Sequence, residues 1–385
     1  MSKKVFTLIA VLVMAAMILS ACGAPATQSP TPAETQPPAA EATEPPAEAT
    51  EPPAEATEPP AEVTEPPAGE TIRACQVTDA GGIDDRSFNA TAWLGVQRAM
   101  EELGIDGQYL ESQQQTDYER NISQFIEADC DLIITVGFLL DAATAAAADA
   151  NPDQNFAIVD FAYDPPRDNV LGLVYATHQA GFLAGYLAAG MTQTGAIGTF
   201  GGLQIPSVTT FMDGYALGAQ YYNEVHGTDV RVLGWDPVAQ TGLFAGNFES
   251  TDDGRTLGTT LMDEGADVIM PVAGPVGLGT AAAVQERGEG YYIVGVDSDW
   301  TVSSPEYADI ILTSVIKRMD NSVYDAIQQV IDGTFAGGIY LGTLENEGVG
   351  LGTIHANVPA ELIAEVEALI PEIIAGNIQT DPTAQ

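Results

Sequence analysis

Lysine is nearly absent from this chain. Beyond residue 4 it holds one, Lys317, and the whole sequence sets 12 Lys and Arg against 54 Asp and Glu, a formal net charge of −42. A field of one sign on that scale excludes a nucleic-acid surface and disfavours an acidic or polyanionic substrate. The same scarcity removes a phosphate-cradling G-x-x-x-x-G-K-[ST] loop, since Lys317 follows Ile316 rather than glycine. Histidine is equally sparse: His178, His226 and His355 stand far apart, without metal-ligand spacing, and there is no G-x-S-x-G nucleophile elbow. Nothing here asks for catalysis, a metal or a cofactor. Of the three cysteines, Cys75 falls in an apolar run and Cys130 at a helix end, and the sequence leaves open whether they are bridged.

The N-terminus reads MSKKVFTLIAVLVMAAMILSAC, with two lysines and an apolar core from Val5 to Leu19. Small residues before a cysteine mark a processing site rather than a charged stop-transfer flank, so residues 1–21 read as a lipoprotein signal peptide and Cys22 as the lipidated first residue of the mature chain. Residues 22–70 read as a Pro/Glu-rich disordered linker, with EATEPPA beginning at 41, 48 and 55 and EVTEPPA at 62. Frequent proline among acidic side chains builds no core. At about 3.1 Å per residue such a stalk holds a domain on the order of 100 Å from a membrane. The expected location is the extracytoplasmic face of the cell membrane, lipid-anchored.

From Thr71 onward, roughly 300 residues suffice for two packed lobes. Apolar runs such as IRACQV, DLIITV, FAIVD, GAIGTF, DVIMPV, YYIVGVD and IILTSVI alternate with amphipathic stretches such as TAWLGVQRAMEEL and NSVYDAIQQVI. That alternation predicts an α/β protein of two doubly wound, parallel-sheet lobes. The expected N-terminal lobe takes residues 71–174 and 317–336, the C-terminal lobe 175–316 and 337–385, with IILTSVIKR returning the chain to the first. A three-stranded hinge is expected near Tyr175, Lys317 and Ala336–Gly338.

In such sheets the ligand sits outside the carboxyl ends of the strands. The residues at those ends are Asp79 with Gly81 and Gly82, Asp160, Gly274, Asp297 and Lys317. A carboxylate ending one strand is usually a helix cap; several converging with an ammonium point to a ligand with hydroxyls, because ionised oxygens accept strong bonds from them. The carboxylates around GGIDD repel phosphate, which favours a neutral or cationic ligand. Phe88, at the start of a helix, and Phe248, in the loop AGNFESTDDG, are candidates for stacking on a flat ring. A set for ribose plus two rings spells a nucleoside.

VIMPVAGPVGLGTAAAVQERGEGYYIVGVD imitates a dinucleotide site, but its order is G-x-x-G-x-G rather than G-x-G-x-x-G. Asp84 and Asp85, adjacent at a helix start, suit an N-cap better than a glycosidase acid/base pair. DAGGIDDRSFNATAW, GNFESTDDGR, VGVDSD and LTSVIKRMDNSVYDAI together resemble the basic membrane protein family, lipoprotein substrate-binding components of ABC importers that include purine nucleoside receptors. The similarity runs over residues 71 to about 375. It implies the periplasmic-binding-protein type I fold and a monomer serving an ABC permease and ATPase. It further implies Phe88 and Phe248 around a base, Asp79 and Asn89 at the base edge, and Asp160, Gly274, Asp297 and Lys317 on the ribose. Ala80 and Trp300 depart from the family pattern near those positions. Binding of a sugar or amino acid, and sensing through a membrane kinase, are the other readings the sequence allows.

Overall fold

The computed structural model describes residues 71–382; the signal peptide, Cys22 and the repeats expected in 1–70 lie outside the described residues. The first half contains β1 (Arg73–Val77), α1 (Phe88–Leu103), β2 (Asp106–Leu110), α2 (Tyr118–Glu127), β3 (Leu132–Val136), α3 (Asp141–Ala150), β4 (Asn155–Val159) and β5 (Val170–Tyr175). There follow α4 (Thr177–Met191), β6 (Ala196–Gly201), α5 (Pro206–His226), β7 (Arg231–Leu233), the short pair β8 (Trp235–Asp236) and β9 (Thr241–Gly242), and α6 (Thr251–Asp263). The chain continues through β10 (Val268–Val272), α7 (Val276–Arg287), β11 (Tyr292–Asp297), α8 (Trp300–Ser303) and β12 (Ile311–Lys317). It closes with α9 (Met319–Ile331), β13 (Gly338–Gly342), β14 (Val349–Leu351) and α10 (Ala360–Ile374).

Two six-stranded sheets result, ordered β13-β5-β4-β3-β1-β2 and β14-β12-β11-β10-β6-β7. All their pairings are parallel except β12 with β14. Each sheet is covered on both faces, and the alternation of the strands assigns the faces. In the first, Ala74, Leu132, Ile134 and Val136 join the large core beneath α1, whereas Cys75, Ile133, Phe156 and Ile158 pack with Tyr118, Ile122 and Phe125 of α2. Cys75 and Cys130 form a disulfide, tying β1 to the turn after α2.

The chain crosses between lobes three times: from β5 into α4, from β12 into α9, and from β13 to β14. All seven residues of β12, within IILTSVIKR, are buried, and the strand pairs in parallel with β11, its neighbour one crossover earlier. The chain returns to the first lobe directly after Lys317, where α9 packs on α1. One expectation is corrected here. The third crossing lies beyond Gly342 rather than at Ala336–Gly338, because β13, with an alternating half-exposed pattern suited to an edge, pairs with β5 of the first sheet.

Candidate functional site

The segment after β1 folds back on itself through carboxylates. Gly82 takes φ +74°, a conformation that glycine adopts without strain. Glu111 accepts from the Ile83 N–H at 2.8 Å. Asp79 Oδ1 accepts from the Gly81 N–H at 2.9 Å and from Asn89 Nδ2 at 2.7 Å. Asp85 accepts from the backbone N–H groups of Ser87, Asn89 and Ala90 at 3.0, 2.7 and 3.0 Å, satisfying donors that the start of α1 leaves open. Burial pushes the Asp85 carboxyl up to about 7, with those three N–H groups pulling the other way. Asp79, half-buried in the wall, is likewise raised by desolvation against its bonds from Asn89 and Gly81.

Four strand ends, two from each lobe, also reach the cleft with positive φ. Gly137 after β3, Asp160 after β4, Gly274 after β10 and Asp297 ending β11 all have positive φ, at 128°, 69°, 54° and 68°. For an aspartate this costs roughly 1–2 kcal/mol relative to an ordinary backbone. Lys317, 2 % exposed, lies between the two aspartates, its Nζ 2.7 Å from Asp160 Oδ2 and 3.6 Å from Asp297 Oδ1. The ammonium is also 4.6 Å from the Phe88 ring centroid, a cation–π distance. Burial draws Asp160 upward, and Lys317 and the Ser207 hydroxyl oppose it.

Asp79, Phe88, Asn89, Asp160, Phe248, Gly274, Asp297 and Lys317, the residues singled out from the sequence, all line one cleft. Phe88 comes from the first lobe and Phe248 from the second, both half-buried. Gly202 makes room for the latter: a Cβ there would stand 2.2 Å from Phe248 Cε1. Asn89 lines the cleft and also braces its neighbours. Its Nδ2 donates to both Asp79 and Asp85 and its Oδ1 accepts from the Asp79 N–H, so it holds Asp79 in place. Trp300, expected near the ligand, is 1 % exposed and does not line the cleft. Its indole bonds to the Val296 carbonyl at 3.0 Å and fills the space left by Gly277 and Gly295.

Sequence reasoning missed Ser87, Ser207 and Phe211. The Ser87 hydroxyl donates to Asp297 Oδ2 at 2.9 Å across the lobes, and Phe211 lies 5.6 Å beneath the Lys317 ammonium. Ser87 carries a readable signal, a hydroxyl residue immediately before Phe88 at a helix start; Phe211 sits inside α5 and carries none. Two further contacts hold the lobes together beside the cleft: Arg86 Nη1 with Glu306 Oε1 at 2.6 Å, and the Ser298 hydroxyl with the Arg86 carbonyl at 3.2 Å.

Two doubly wound lobes joined by three crossings, with a lined cleft between them, define a periplasmic-binding-protein type of solute receptor. Similarity in sequence makes the class specific: the chain belongs to the Bmp family, PnrA-like ABC transporter substrate-binding proteins, whose model matches residues 72–382. It is 32% identical over 324 residues to the ABC transporter nucleoside-binding protein BmpA of Lactococcus lactis, covering 80% of this chain and 88% of that protein. With basic membrane protein A of Borreliella burgdorferi it shares 31% over 298 residues, 76% and 83% of the two chains. Among solved structures, an ABC transporter solute-binding protein from Aeropyrum pernix superposes with a TM-score of 0.72 at 29% identity, over 80% of this chain and 92% of that one. The family consists of substrate-binding proteins, not enzymes.

Proposed function

We propose that this protein is the nucleoside-binding component of an ABC importer, tethered by a lipid on Cys22 to the outer face of the membrane and acting as a monomer with a permease and an ATPase. One observation carries the ligand class: half-buried phenylalanines from opposite lobes share a cleft with a buried ammonium flanked by two aspartates. Phe88 and Phe248 face the base, Asp79 and Asn89 its edge, and Asp160, Gly274, Asp297 and Lys317 the ribose. Ligand bridging the lobes stabilises the closed form by its differential affinity for it, and the closed form is what a permease recognises. The name of the L. lactis relative supports the same ligand class.

Phosphate is disfavoured, since among the described residues Lys317 is the sole cationic side chain lining the cleft and Asp79, Asp85, Asp160 and Asp297 line it too. Calorimetry with inosine, guanosine and adenosine is expected to give binding at least about tenfold tighter than their monophosphates, a difference of about 1.4 kcal/mol. Equal affinity for a nucleoside and its monophosphate would sink the reading. Asp297→Ala is expected to weaken every ribonucleoside alike; if it does not, the ligand is a different polar metabolite, which mass spectrometry of material co-purifying with the protein would identify.

A further inference from the structure

A second, half-open space lies beside the cleft and is lined by Asp160, Val174, Tyr175, Thr177, Ser207 and Thr210 among others. Asp160 and Ser207 line both spaces and so form the partition between them. The walls come from the first crossing, where β5 runs into α4, and from the first turns of α5. Apart from Asp160 the polar groups of this chamber are uncharged hydroxyls. The Tyr175 hydroxyl is engaged with Ser322 Oγ at 2.5 Å, but the Thr177 hydroxyl, in a residue 1 % exposed, bonds to no group of the protein.

We infer that this side chamber is a subsite for a small uncharged substituent on the sugar end of the ligand. The inference rests on the nucleoside reading, because the chamber adjoins the cleft at Asp160, placed there on the ribose, whereas Asp79, Phe88 and Phe248 do not line it. A phosphate is the wrong occupant, since the charge in the chamber wall is a carboxylate and Lys317 is already flanked by Asp160 and Asp297. A thioether or alkyl group suits the mixture of Val174, Pro206 and hydroxyls.

The test compares adenosine with 5′-deoxy-5′-methylthioadenosine by calorimetry on the full chain, native and with Thr210→Trp, which fills the chamber from a half-exposed helix position; Thr210→Leu is the milder substitute, and melting curves check folding. On the native protein the two probes are expected within about fivefold of one another, since a pocket with room tolerates the added group. Thr210→Trp should weaken the thioether by about tenfold or more and adenosine by less than about twofold. If the native protein binds adenosine but takes the thioether more than about thirtyfold more weakly, or if filling the chamber weakens both alike, the subsite is overturned and the nucleoside reading stands. If neither probe binds, both fall together.

Discussion

The two lobes share one scaffold and furnish it differently. Their sheets have the same strand order, and positive φ recurs at equivalent strand ends: Asp160 and Asp297 nearly coincide, at 69° and 68°, whereas Gly137 and Gly274 differ, at 128° and 54°. On that common frame the first lobe sets a wall of carboxylates, in which Asp79 and Asp85 are locked together by Asn89 and the sheet is stapled by Cys75–Cys130. The second lobe contributes the cation, the Ser207 hydroxyl and the apolar walls Phe211 and Phe248. Backbone shape is therefore a property of the scaffold, whereas chemistry is distributed unevenly.

Removing the cation attacks the comparison where it is strongest. Lys317→Met leaves Asp160 and Asp297 buried without their partner, and breaking a buried pair in this way is expected to cost about 3–5 kcal/mol of stability, read as a lowered denaturation midpoint. An unchanged midpoint would mean the aspartates are satisfied without it. Cutting the staple tests the rigidity of the first lobe: Cys75→Ala with Cys130→Ala opens a loop of 55 residues and should cost about 2–4 kcal/mol, with the ranking of ligands unchanged. A changed ranking would show that the disulfide shapes the cleft as well as the fold. Phe88→Ala should weaken nucleoside binding by about 1–3 kcal/mol, the usual worth of stacking on one ring, with little loss of stability. An early-melting variant that binds normally once folded would return Phe88 to the core.

Two smaller effects sharpen the picture. With its folded pKa of about 7 against an ordinary 3.8, Asp85 binds more protons in the native state, so its contribution to stability is full below pH 4 and is lost as the pH rises toward about 7. Asp85→Asn is expected to flatten that part of the stability profile; an unaltered slope would show that the three N–H donors keep the carboxylate ionised. Last, Arg86→Ala removes an exposed ion pair between the lobes, and the expected shift toward the open form is small and disappears in high salt. Small-angle scattering of the ligand-free protein at low and high salt measures it.

Much of the fold and of the cleft was legible in the sequence. The apolar runs became strands because each is short, nearly continuous and bounded by turn residues, and the cleft residues are those that stand at the carboxyl ends of these strands. The features that escaped detection depend on pairings remote in sequence. The lobe to which β13 belongs is decided by which sheet offers it an open neighbour, and the short run GIYLG itself is compatible with either. Trp300 reads as a loop aromatic near a site, and only the missing side chains at Gly277 and Gly295, far from obvious partners, turn it inward. Asn89 was placed at the right wall but its hydrogen bonds, to Asp79 and Asp85 on either side of the glycine turn, were not foreseeable from its position at a helix start.

The pairing of β13 with β5 bears on how the molecule is made. Gly338 lies opposite Leu171, so the first sheet lacks its edge until nearly the whole chain has emerged from the ribosome. Contacts so distant in sequence are slow to form, because a long loop must close before they reward it. A chain cut short after Lys317 would therefore expose β5 along its full length and leave the N-terminal lobe, not the C-terminal one alone, open to pairing with stray strands.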